Sequence, residues 1–101
     1  MESAGKRLAG KKAVITGASR GIGAAVARAF AHEGADVALA YAPNAEMEKL
    51  AQGLAIELSA TGVKAIAIKG DLASAEDPGA IIRTAREALG PLSTIVANAA
   101  T

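Results

Sequence analysis

The sequence predicts an α/β fold, a doubly wound parallel sheet with its four strands in the order 3-2-1-4. Three observations predict it. Short apolar runs alternate with longer stretches of helical periodicity, a glycine-rich segment joins the first apolar run to the first helical stretch, and each helical stretch stops at or beside a glycine. Strands separated by helices connect through right-handed crossovers, which makes the strands parallel and covers the sheet with helices.

The elements follow in order. Residues 12–16, with Ala13-Val14-Ile15, read as strand one. Residues 21–33 read as a helix, with Ile22, Val26 and Phe30 in helical spacing and Gly34 ending it. Residues 36–41, from Asp36 to Tyr41, read as strand two. Residues 45–60 form a second helix with Met47, Leu50, Ala51, Leu54 and Leu58 on one face, closed by Thr61-Gly62. Gly53 weakens that helix by about 1 kcal/mol relative to alanine without cancelling the pattern. Residues 63–68 read as strand three. A third helix runs from about 75 to 89, with Ile82, Ala85 and Leu89 inward and Pro78 and Gly79 in its first turn, where proline is tolerated. Ser74-Ala75-Glu76-Asp77 has the spacing of a capping box, and Gly90-Pro91 stops the helix. Residues 93–97 read as strand four. The result is βαβαβαβ, a Rossmann-type arrangement without internal repeat, linker or low-complexity segment.

Composition bounds the function. A chain of 101 residues fits one small domain, and 51% apolar content can supply its core. Phe30 and Tyr41 are the only aromatic residues, so packing rests on Ala, Val, Ile and Leu. A formal net charge of +1 gives no electrostatic ground for a nucleic acid or a membrane as partner. Lys6, Arg7, Lys11 and Lys12 read as a solvated lead-in to the first strand. Without cysteine there is neither disulfide nor thiol chemistry, which fits a reducing compartment. No apolar run has the length of a membrane span, and Met1 to Lys6 lacks the apolar stretch of a signal peptide, so a cytoplasmic location is expected. No His, Asp or Glu cluster has metal-ligand spacing. His32, the one histidine, reads as a surface residue, and Glu46, Glu48 and Lys49 read as a solvated helix face.

The functional signal lies in Thr16-Gly17-Ala18-Ser19-Arg20-Gly21-Ile22-Gly23. A glycine-rich turn from strand to helix lets the backbone approach a phosphate, which the free N–H groups and the dipole of the helix start attract. The spacing G-x-x-x-G-x-G, preceded by Thr16, resembles the short-chain dehydrogenase/reductase family, with its 3-oxoacyl-carrier-protein reductase-like members as the nearest likeness. Asn98-Ala99-Ala100, after the apolar run Thr94 to Ala97, resembles that family's N-N-A-G segment. Ala97 stands for its first asparagine and Ala100 for its glycine, which puts an added methyl at the cofactor wall. The resemblance covers the whole chain and the first half of the family's usual domain.

The end of strand two identifies the nucleotide. An NAD site places an acid there, about twenty residues past the first glycine, to bond the ribose 2′-hydroxyl. Here the segment reads Tyr41-Ala42-Pro43-Asn44, and Asp36 is at the strand's other end. An NADP site accepts a 2′-phosphate, which Arg20 in the glycine turn can hold, unless it only faces solvent. NADP(H) is therefore expected over NAD(H). The resemblance implies that Gly17, Gly21 and Gly23 shape the turn and that Ile22 offers a backbone N–H to the pyrophosphate. It gives Ser19 and Arg20 contacts to the adenosine ribose and its phosphate, with Tyr41, Ala42 and Asn44 lining the same pocket. Asp71 and Leu72 match the family's pair beside adenine, Asp71 accepting from the exocyclic amine; a turn or capping role for Asp71 stands beside this. Asn98, Ala99 and Ala100 would line the ribose next to nicotinamide. All these positions follow the carboxyl ends of strands, where ligands of such sheets bind.

The same resemblance implies a catalytic Tyr-x-x-x-Lys motif with a serine. Tyr41 is followed four residues on by Ala45, so no catalytic residue is assigned. The chain is expected to be the N-terminal dinucleotide-binding half of a single domain, truncated after strand four and inactive alone. It would serve an oxidoreductase that moves hydride between nicotinamide and a carbonyl or alcohol substrate. A stand-alone, non-catalytic nucleotide-binding or regulatory module is the alternative. Strand four would be an exposed apolar edge, expected to pair with another chain or to sit in a homo-oligomer.

Overall fold

The computed structural model describes residues 7–18, 21–70 and 78–96. They form β1 (Lys12–Thr16), α1 (Gly21–His32), β2 (Asp36–Tyr41), α2 (Ala45–Ser59), β3 (Ala65–Lys69), α3 (Pro78–Leu89) and β4 (Thr94–Val96). The sheet has the expected order β3-β2-β1-β4, and all its pairings are parallel. Thr16 lies beside Ala40, Tyr41 beside Lys69 and Ile15 beside Val96, so the four carboxyl ends share one edge.

Alternation along the strands builds the layers. Ala13, Ile15, Val37 and Leu39 face α1 and α2, packing on Ala24, Ala27, Ala31, Leu54, Ala55 and Leu58. Val14, Ala38, Ala40 and Ile68 face the other way, onto Ile81, Ala85 and Leu89 of α3. β1 and β2 are thus buried on both faces, which is why they read as unbroken apolar runs. Alanines on the inner face of α1 let that helix lie close to the sheet.

The boundaries of β1 and β2 are as expected, and four details differ. β3 begins at Ala65 rather than residue 63 and ends at Lys69 rather than 68, because the N–H of Lys64 is taken by the Asp36 carboxylate at 2.9 Å and the ladder starts beyond it. Leu50 is 40% exposed: the inward stripe of α2 is Met47, Ala51, Leu54, Ala55 and Leu58, and Leu50 lies at its margin. On α3 the buried residue is Ile81, four positions before Ala85, whereas Ile82 is only partly buried. α1 and α2 end a residue earlier than expected, at His32 and Ser59, and β4 begins at Thr94 and is described to Val96, with Ala97 outside the described residues. α3 is described from Pro78, where the missing N–H costs nothing; residues 75–77 and the capping-box segment at Ser74 lie outside the described residues.

One carboxylate ties the amino edge of the sheet. Asp36 Oδ2 accepts from Lys12 Nζ at 2.9 Å, and Asp36 Oδ1 accepts from the Lys64 N–H at 2.9 Å, joining β1, β2 and the approach to β3. Partial burial pushes this carboxyl up, but the Lys64 N–H, the Lys12 ammonium and the Lys64 charge together hold it below the usual range. A depressed carboxyl adds stability that is complete above its unfolded pKa of about 3.9 and is lost as pH falls through the lower folded value. Asp36→Ala is expected to cost about 1–3 kcal/mol at neutral pH. In denaturant melts across a pH series, the gap between wild type and variant should narrow below about pH 4.

Candidate nucleotide-binding site

At the carboxyl edge, the chain leaves β1 through Gly17 and Ala18, and α1 begins at Gly21. Two of the glycines serve by different means. Gly21 has φ +64 and nothing within 4 Å of where a Cβ would stand, so it supplies a left-handed backbone in open space. Gly23 supplies closeness: a Cβ there would overlap the Gly17 carbonyl oxygen and lie 3.0 Å from Ala18 Cα. The first turn of α1 therefore rests directly on the backbone leaving β1.

The backbone leaving β1 is held on both sides. The Ala18 N–H donates to the Ala40 carbonyl of β2 at 3.3 Å, and Ala18 is fully buried. The Thr16 hydroxyl donates to the Val96 carbonyl of β4 at 3.4 Å. The first turn of α1 carries no acidic residue, so no carboxylate of its own neutralises the positive end of the helix. α2 starts at the same edge but is self-satisfied: Asn44 Oδ1 accepts from the Met47 N–H at 2.8 Å, and Glu46 and Glu48 occupy its first turn. Of the two, α1 is the one whose first turn is free of acid, the charge balance that favours an anion at a helix start. Ile22, 73% exposed, stands beside it.

The end of β2 forms the neighbouring wall. Tyr41 falls on the α2 side of the pleat and is buried with Met47 and Ala51. Burial and the charge of Glu48 push its phenol up. Its ring thus supports the rim from beneath, and Ala42, Pro43 and Asn44 reach the surface above it. Residues 41–44 include no carboxylate.

Gly17, Gly21, Ile22, Gly23, Tyr41, Ala42 and Asn44 are thus gathered at one edge. Ser19, Arg20, Asp71, Leu72, Asn98, Ala99 and Ala100 lie outside the described residues. Their neighbours in the chain stand at the same edge: the Gly70 N–H donates to the Tyr41 carbonyl at 2.8 Å, and Val96 lies beside Ile15. Lys69, exposed beside Tyr41, was missed because the strand was expected to stop one residue earlier; the alternation Ala65, Ala67, Lys69 could have found it. Among the described residues no His, Cys, Asp or Glu group could hold a metal ion. Nor is any described helix long and apolar enough to cross a membrane.

The short chain dehydrogenase family pattern matches residues 11–101. The chain belongs to this family. It is 46% identical over 92 residues to the glycine betaine reductase ATRR of Emericella nidulans, a match covering 91% of this chain and 7% of that protein. It is 42% identical over 94 residues to the L-rhamnose 1-dehydrogenase (NAD(P)(+)) of a Sphingomonas species, covering 93% of this chain and 36% of that one. Among solved structures, it is similar to a blue fluorescent protein from a metagenomic library in complex with NADPH. That match has a TM-score of 0.87 and 41% identity, covering 94% of this chain and 38% of the other. As a short-chain dehydrogenase sequence, it spans little more than a third of the rhamnose dehydrogenase's length.

The two glycines should respond differently to a methyl group. Gly21→Ala is expected to cost about 1–2 kcal/mol, the strain of a left-handed alanine. Gly23→Ala should cost about 3 kcal/mol, since backbone must move to admit it. Paired thermal melts check the order, and equal losses would contradict the close approach described above.

Proposed function

We propose that this chain forms the NADP(H)-binding part of an oxidoreductase that transfers hydride between nicotinamide and a carbonyl or alcohol substrate. The observation that carries this reading is the carboxyl edge itself. An acid-free helix start faces the glycine turn, and the rim at residues 41–44 lacks the carboxylate that would repel a 2′-phosphate. The NADPH in the similar crystal structure and the NAD(P)(+) in the name of the rhamnose dehydrogenase support it. Membership of the short chain dehydrogenase family supports the reaction class.

In this reading the N–H groups around Gly21, Ile22 and Gly23 hold the pyrophosphate. Ser19 and Arg20 take the adenosine ribose and its 2′-phosphate, with Ala42 and Asn44 forming the rim that Tyr41 supports. Asp71 and Leu72 flank adenine, and Asn98, Ala99 and Ala100 line the ribose beside nicotinamide. The bound cofactor would give hydride to a carbonyl or take it from an alcohol; these residues would orient it. None of them is proposed to move the substrate proton, and Tyr41 is buried at the wrong place to do so. The substrate is proposed as a small carbonyl compound or alcohol, a reading the resemblance of the glycine turn to that of 3-oxoacyl-carrier-protein reductases supports. The protein is proposed to work in the cytoplasm as a homo-oligomer.

Fluorescence titration of the full-length protein with NADPH and NADH tests the reading. NADPH should bind more tightly, and Arg20→Ala should weaken NADPH by about 10- to 100-fold, the cost of a charge-assisted phosphate contact, while leaving NADH within about twofold. Equal affinities for the two nucleotides in the wild type would overturn it.

A further inference from the structure

The two edges of the sheet treat their cations differently. At the amino edge, Lys12 and the Lys64 backbone converge on Asp36, and the Lys64 ammonium donates to the Ala88 carbonyl at 3.3 Å. At the carboxyl edge, the cation at a strand end is Lys69, which is exposed and has no acidic partner among the described residues.

Its position is set by register. Lys69 pairs with Tyr41 across β3 and β2, adjacent strands about 4.8 Å apart. Ala65 and Ala67 pack toward the α1–α2 side, and the pleat places Lys69 on that same side, as it does Tyr41. A flexible four-carbon stem starting beside Tyr41 is long enough to extend toward Ala42, Pro43 and Asn44, the next residues of the chain. The end of strand two is where a fold of this kind places the ribose 2′ position. Beyond the rim, Glu46 and Glu48 stand in the first turn of α2, and residues 41–44 themselves supply neither acid nor cation.

We propose that Lys69 is a second cation for the adenosine 2′-phosphate, acting from β3 while Arg20 acts from the glycine turn. The proposal rests on the NADP(H) reading above and adds a specificity-determining residue to it. The competing role is that of an edge-strand lysine, whose charge discourages pairing with another chain.

Calorimetric titration of the full-length protein separates these roles, using adenosine 2′,5′-bisphosphate and 5′-AMP as probes at two salt concentrations. Lys69→Gln should weaken the bisphosphate by about 3- to 10-fold and flatten its salt dependence, with 5′-AMP unchanged; Lys69→Arg should restore binding. Bisphosphate affinity kept in Lys69→Gln, with the wild type still preferring the bisphosphate, overturns the role of Lys69 alone, and aggregation of that variant would then mark the edge-strand role. A loss shared equally by both probes also overturns it. A wild type that binds the two probes equally overturns the NADP(H) reading and this proposal together.

Discussion

No side chain fits at residue 23. The Gly17 carbonyl oxygen occupies the space a Cβ would need, and the rest of the site depends on that contact. It brings the first turn of α1 down onto the backbone leaving β1, which aims the helix start at the carboxyl edge. Ala24, Ala27 and Ala31 continue the close approach along the same face. The backbone on which α1 rests is itself tied to both neighbouring strands, Ala18 to β2 and Thr16 to β4. A larger residue at 23 would lift the helix and disturb the N–H groups that the site offers.

Charge is divided along the sheet as packing is divided across it. The amino edge is internally satisfied, with one aspartate serving two chain segments beside it. The carboxyl edge is left unbalanced. α2 fills its own start with Asn44, Glu46 and Glu48, while α1 keeps its start free of acid. Had the acids stood on α1, the same backbone would repel a pyrophosphate. The discrimination therefore comes from a few side chains on two helices that share one fold.

The parts legible in the sequence are those with a single physical demand. β1 and β2 are buried on both faces, so their apolar runs start and stop where the strands do. β3 is the outer strand and half covered; Val63 extended its apolar run backward, and Lys69 hid its end. Leu50 and Ile82 misled for a related reason. Each lies within a turn of the buried stripe, and helical periodicity alone does not fix a stripe's margin to one residue. In the site, the glycine turn was legible because its spacing is tied to backbone geometry. The orientation of Tyr41 was not, since a tyrosine at a strand end suits a rim or a core equally well until α2 is in place.

The alternation of strands and helices, their parallel order and the glycine turn as the expected place for a phosphate could all be read from the residues alone. These follow from local periodicity, crossover handedness and backbone freedom, which are properties of short segments. Only in the folded chain does Asp36 join β1 to the approach of β3, Tyr41 turn under α2 and Lys69 pair with Tyr41. Those facts depend on register between strands distant in sequence. Register is set by how whole layers pack, so no single segment carries it.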